Sequence, residues 1–233
     1  MSTRSRVAGL ALALTVLMTF GAASMVKAQP QKSPSPQPQP AQTTKPGKSG
    51  GTQMSPQMSQ KEMDRMMALA APGPNHKKLD RLVGTWKTTI RMWMGPGEPA
   101  VSNGKATYEW ILGGRYLKST QTGEFGGMPF EGLGIDGYDN AKKEYFSTWF
   151  DNMGTGVMKL TGHPTADGNG ITYTGTTFDA SQMKDVRVRE MVRMESDTRY
   201  VFEMYMQLPE AGKKAQLKEV MEIVGEKQQA AGL

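Results

Sequence analysis

The sequence predicts an all-β domain, an antiparallel meander of about ten strands closed into a barrel and preceded by one or two short helices. Three observations carry that prediction. From Gly84 onward the apolar residues recur with a period near two and keep it almost to the end of the chain. Clusters of Gly, Asn and Asp interrupt the pattern at intervals of about ten residues. No stretch with helical spacing separates the strands, so neighbours joined by short loops must pair antiparallel.

The elements follow in order. Arg4 and Arg6 precede an apolar run over residues 7–23, and Val26-Lys27-Ala28 presents small side chains at the two positions a signal peptidase reads. This predicts an export leader over residues 1–28, cut after Ala28, a periplasmic or secreted location, and no membrane span once the leader is gone. The chain has no Cys, so neither a lipid anchor nor a disulfide is available and the core alone must hold the fold. Residues 29–54 set Pro30, Pro34, Pro36, Pro38, Pro40 and Pro46 among Gln, Ser, Thr and Lys, the composition of a disordered spacer.

Residues 55–83 read as a short helical segment. Ser59-Gln60-Lys61-Glu62 fits a capping box ahead of Met63, Met66, Met67 and Ala70 at helical spacing, and Ala71-Pro72-Gly73-Pro74 stops that helix. Asn75 is placed as the cap of a second helix carrying Leu79, Leu82 and Val83, with Gly84 at its end. The barrel is expected over residues 84–225, followed by a tail over 226–233. Trp86, Thr88, Ile90, Met92 and Met94 form one phase of the first strand, and Tyr108, Trp110 and Leu112 one phase of the second. Further strands are expected over 116–125, 130–138, 144–151, 155–161, 171–178, 183–194, 200–207 and 215–224. Closure removes exposed edges and, at about eight to ten strands, leaves an interior that side chains fill or that holds one small ligand.

Charge excludes a class of function. The net charge is +6, but residues 62–233 hold 21 basic residues against all 22 acidic ones, a net of −1. A near-neutral body has no electrostatic footprint for a phosphate backbone, and no Gly-rich phosphate loop opens a helix, so nucleic acid is not expected as a partner.

The run Leu79-Asp80-Arg81-Leu82-Val83-Gly84-Thr85-Trp86, then Met92-Trp93-Met94-Gly95-Pro96-Gly97, Leu112-Gly113-Gly114-Arg115, Pro129-Phe130-Glu131-Gly132, Gly137-Tyr138-Asp139-Asn140 and Ser147-Thr148-Trp149-Phe150-Asp151 resembles the bacterial family known as domain of unknown function 1579. The resemblance implies a mostly exported β protein with no assigned chemistry. Gly84-Thr85-Trp86, entering the first strand behind a short helix, also resembles the opening of lipocalin-like barrels, the calycins. There the Trp closes one barrel end under an Arg from the last strand; here the last strand has no Arg, and Lys227 beyond it is the substitute.

Candidate chemistry is sparse. His76 lies in the second helix and His163 in a turn before Pro164, neither in a triad or zinc-binding context. Haem barrels of the nitrobindin type use a His late in the chain, and none follows His163, so no cofactor is expected. Met54, Met58, Met63, Met66 and Met67 offer thioethers of the kind Cu(I) favours, but they also suit a docking helix, and no metal is assigned. Glu190 shares its phase with Val186, Val188, Val192 and Met194 and is placed inward; Glu219, among Leu217, Met221 and Ile223, has the same standing, and Asp151 is a third candidate. Trp86, Tyr108, Trp110, Tyr138 and Trp149 are placed as cavity walls, with Glu190 or Tyr138 as a polar contact. The expected function is binding of a small hydrophobic or amphipathic molecule. The alternatives are an enzyme using an inward carboxylate as general base, and a structural or interaction domain of the cell envelope; no catalytic residue is assigned.

Overall fold

The computed structural model describes residues 58–210 and 213–229; the predicted leader and spacer, with Met54, lie outside the described residues. Within them, β1 (Gly84–Met92), β2 (Ala100–Ile111), β3 (Tyr116–Phe125), β4 (Met128–Asp139), β5 (Glu144–Asp151), β6 (Met158–Pro164), β7 (Gly170–Asp179), β8 (Lys184–Ser196), β9 (Arg199–Glu210) and β10 (Lys213–Lys227) form one closed barrel. Each strand pairs antiparallel with its neighbours in sequence, and β1 closes the circuit on β10, with Trp86 opposite Lys227 and Met92 opposite Met221. The predicted meander is the observed one. Gly126 and Gly127, both with positive φ, make the two-residue turn that joins β3 to β4 in register from Phe125 and Met128.

Several boundaries differ from the expectation, each for a local reason. Leu112 leaves the second strand, because it adopts φ 49° as the chain turns into Gly113 and Gly114. Met94 lies beyond β1 in the loop and is exposed. His163 is on the outer face of β6, not in a turn. The last strand runs on to Lys227, two residues past the predicted barrel end, because Lys227 is still paired with Trp86.

Ahead of the barrel stand α1 (Gln60–Ala70), α2 (Pro74–Lys77) and a 3₁₀ turn (Lys78–Leu82). The capping box of α1 forms as expected, Ser59 and Glu62 each receiving the other's backbone N–H. Asn75 is not a cap: Gly73 precedes α2, Pro74 opens it, and the Asn75 carbonyl accepts the Tyr145 hydroxyl at 3.0 Å. The methionines of α1 do not dock. No residue of α1 is buried, and Met67 is 66% exposed; what ties the helix down is its C-terminal end, where Asn140 Nδ2 donates to the carbonyls of Leu69 and Ala71. Among the described residues, no helix is long and apolar enough to cross a membrane.

The 3₁₀ turn plugs one end of the barrel. Leu79 and Leu82 are buried there against Trp86, which has no exposed surface. The indole Nε1 donates to the Leu82 carbonyl at 2.7 Å, the indole and the Tyr200 ring meet in a T-shaped pair with centres 4.9 Å apart, and Lys227 Nζ stands 5.1 Å from the indole centre. The cation over the Trp is thus supplied by Lys227. Replacing Trp86 by Phe removes that hydrogen bond and part of the ring, and should lower unfolding free energy by about 1–3 kcal/mol in urea denaturation without changing the β signature in circular dichroism.

Candidate functional site

Among the described residues, the barrel is plugged at one end only. From the aromatic layer above Trp86 a cavity of about 1240 Å³ extends to the opposite mouth. It begins at buried Tyr108 and Tyr173 and ends among exposed Val101 (62%) and Phe178 (58%), so it joins the core to the surface. Ile90, Met92, Phe202, Met204 and Met206 supply much of its apolar wall.

The six side chains expected to form a site divide between the two regions. Tyr108, Trp149 and Glu190 line the cavity. Trp86, Trp110 and Tyr138 do not, because they belong to strand ends that meet at the plug. Trp110 Nε1 donates to Asp80 Oδ1 at 2.7 Å, and Tyr138 packs edge-on against His76 and Tyr145. Their polar tips serve the junction of helix and barrel. His76 itself is buried there, with Nδ1 accepting the Gly73 N–H at 3.1 Å; burial, and then the charge of Arg115, push its pKa below the usual value.

Trp149 owes its position to two glycines on the neighbouring strand. A Cβ at Gly132 would lie 2.2 Å from the indole and one at Gly134 3.3 Å from it, so the ring lies flat on β4 and does not fill the bore. Phe130 stacks at 6.4 Å and 16°, and Nε1 donates to Asp151 Oδ2 at 2.8 Å. Asp151, the third acidic candidate, therefore lines the mouth as the partner of this indole.

Glu190 is 4% exposed and faces the inner part of the cavity, opposite Tyr173 on β7 and Met204 on β9. It shares that region with Asp136, which the sequence reading did not single out. Burial pushes the Asp136 carboxyl up to about 7 against the pull of the Ser147 hydroxyl, which lies opposite on β5. Burial, and then the charge of Asp136, push Glu190 up to about 8. Around them the phenols of Tyr108 and Tyr173 are held protonated by burial, and that of Tyr200, whose oxygen is 3.5 Å from that of Tyr108, is pushed up to about 12 by burial.

Glu219 does not share this interior. A bulge between Glu219 and Met221 breaks the alternation of β10, leaving Met221 and Ile223 on the cavity wall and turning Glu219 outward beside Glu203 and Glu222. Ligand oxygens of these three carboxylates lie within 4.8 Å of one another on the outer wall, where Arg91 pairs with Glu222 and Arg193 with Glu203.

The interior acids carry a sign for stability. Both folded-state values lie above the ordinary 3.8 and 4.5, so folding takes up protons between roughly pH 4 and 8, and the stability present at the acid end is lost as pH rises to about 8. At ~1.4 kcal/mol per pKa unit the loss is on the order of a few kcal/mol for each of the two groups. The melting temperature of the Glu190→Gln variant, measured from pH 5 to 8.5, should fall less with pH than that of the parent and exceed it at pH 8. Taking the difference between the two proteins cancels His76, which acts in the opposite sense.

Comparison with known proteins places the fold. The family profile described as "Protein of unknown function (DUF1579)" matches residues 71–227. Among solved structures, Rv2717c from M. tuberculosis is similar over 68% of this chain and 100% of its own, at 16% identity and a TM-score of 0.50. A redesigned β-barrel is similar over 65% of this chain and 96% of its own (14% identity, TM-score 0.33), and a protein bound to DFHBI over 66% and 98% (13% identity, TM-score 0.34). No curated protein matches the sequence. The profile spans the plug, all ten strands and the Lys227 that covers Trp86, and the chain belongs to the DUF1579 family.

Proposed function

We propose that this protein is exported and that its barrel binds a small, mostly apolar molecule entering through the unplugged end. The cavity carries this reading: about 1240 Å³, at or above the upper end of ordinary ligand pockets, with a wall of aromatic and methionine side chains and a few polar groups at its inner end. Trp149 and Tyr108 offer flat apolar faces, and the methionines can adapt to an irregular shape. Glu190 and Asp136 give the inner end a polar anchor. Export is supported by the basic and apolar pattern before Ala28, with residues 29–54 as the spacer that separates the barrel from its point of release.

A second reading, a general acid–base enzyme, is favoured by one observation: a carboxyl with a pKa near 8 facing a cavity is suited to exchange a proton at neutral pH. Under that reading the Glu190→Gln variant loses turnover of whatever substrate is found; under the binding reading it keeps the ligand or changes only its affinity.

Protein purified from its own host should carry a copurifying small molecule in native mass spectrometry, and its Trp emission should shift on titration with apolar ligands. Mature protein from the exported fraction should begin at Gln29. A Cβ at Gly132 pushes the Trp149 indole into the bore, so Gly132→Ala should weaken binding by about tenfold, ~1.4 kcal/mol, while the fold is retained. An empty protein whose emission ignores every ligand would remove the binding reading.

A further inference from the structure

The lining of the cavity carries charge of one sign. Glu124, Asp136, Asp151, Asp185 and Glu190 belong to it, and among the described residues no Lys, Arg or His does. The body as a whole is almost balanced, with 21 basic and 22 acidic residues in residues 62–233. Several of its basic side chains are paired on the outer wall, Arg91 with Glu222, Lys118 with Glu109, and Arg193 with Glu195 and Glu203.

Resting on the binding reading above, we propose that the molecule held in the barrel is an organic cation, an amine or quaternary ammonium on an apolar body, with its positive head beside Asp136 and Glu190 and its body along Trp149 and the methionines. A cleft whose ionisable groups are all acidic and whose walls are low-dielectric focuses a negative field; Glu124, Asp151 and Asp185 supply it near the mouth, and the inner pair can ionise to extend it. The inner end also presents the rings of Tyr108 and Tyr173, whose faces attract a cation. A fatty acid or phosphate would meet no positive partner in this lining and would sit beside two carboxyls. A bare metal ion is served no better: among the described residues, the three carboxylates that lie close enough together to share one are Glu203, Glu219 and Glu222, on the outside of the barrel. An organic ammonium needs no coordination shell, only counter-charge and an apolar bed. When it arrives, the two inner acids release their protons to water at the open mouth and become the counter-charge, and the ammonium offsets the cost of holding them ionised there.

The test compares three probes that share one tail: decyltrimethylammonium, 1-decanol and decanoate, each titrated below its aggregation concentration at pH 7.5 and followed by Trp emission and calorimetry. The ammonium should bind at least about tenfold more tightly than the alcohol, and the carboxylate most weakly. In the double variant Asp136→Asn with Glu190→Gln, the ammonium should lose its advantage, its affinity agreeing with that of the alcohol within about threefold. Equal affinity of ammonium and alcohol in the parent protein, or tightest binding of decanoate, would overturn the cationic assignment and leave the binding reading intact. Failure of all three to bind would overturn both. The comparison among head groups on the parent protein needs no variant, so it stands even if the double variant does not fold.

Discussion

The width of a barrel follows from the number of its strands, and ten antiparallel strands enclose more room than their own side chains fill; about eight is the number at which an interior just closes. Pairing β1 with β10 removes every sheet edge but leaves two ends to be dealt with. Among the described residues, one end is stopped by the 3₁₀ turn seated on Trp86, and the other is open. The same constraint explains where the largest rings go. Tyr200 lies over Gly225, where a Cβ would come within 2.1 Å of it, and Trp149 lies over Gly132 and Gly134. Rings laid flat against glycines thicken the wall instead of crossing the bore, so the volume survives.

Electrostatics divides the molecule in the same way. Outside, acids and bases alternate and pair in water, where each pair adds little to stability. Inside, Asp136 and Glu190 face a cavity without a basic neighbour in its lining and are pushed toward the neutral acid. Such an arrangement weakens the fold as pH rises, and a barrel needing only stability would be better served by apolar residues at both positions. That mismatch between what the fold needs and what the interior contains supports the binding role proposed above.

Much of this was legible in the sequence because strand alternation is a local property. Glu190, set among valines of one phase, was placed inward from the pattern alone and does face inward. Asp136 was hidden by a misleading alternation in β4. Leu133 and Ile135 look like the buried phase, yet the inward phase is Gly132, Gly134 and Asp136, because the glycines are needed beneath Trp149. The clue available was two glycines in phase with an aspartate beside a strand carrying Trp. Glu219 failed for a different reason: the bulge between it and Met221 puts it out of phase with Met221 and Ile223. The Met positions of α1 have helical spacing and a helix forms, but spacing alone does not say whether a face is covered.

By itself, then, the chain order determined ten strands, their antiparallel sense, the capped helix and the Trp that opens β1, since period, turns and caps act within a few residues of each other. Only the tertiary structure decided which aromatics line the cavity and which staple the plug, and that Asp136 joins Glu190. Those outcomes depend on register summed around a closed circuit of strands, where residues from β2, β4, β5 and β8 meet across the bore through distances that no local pattern encodes.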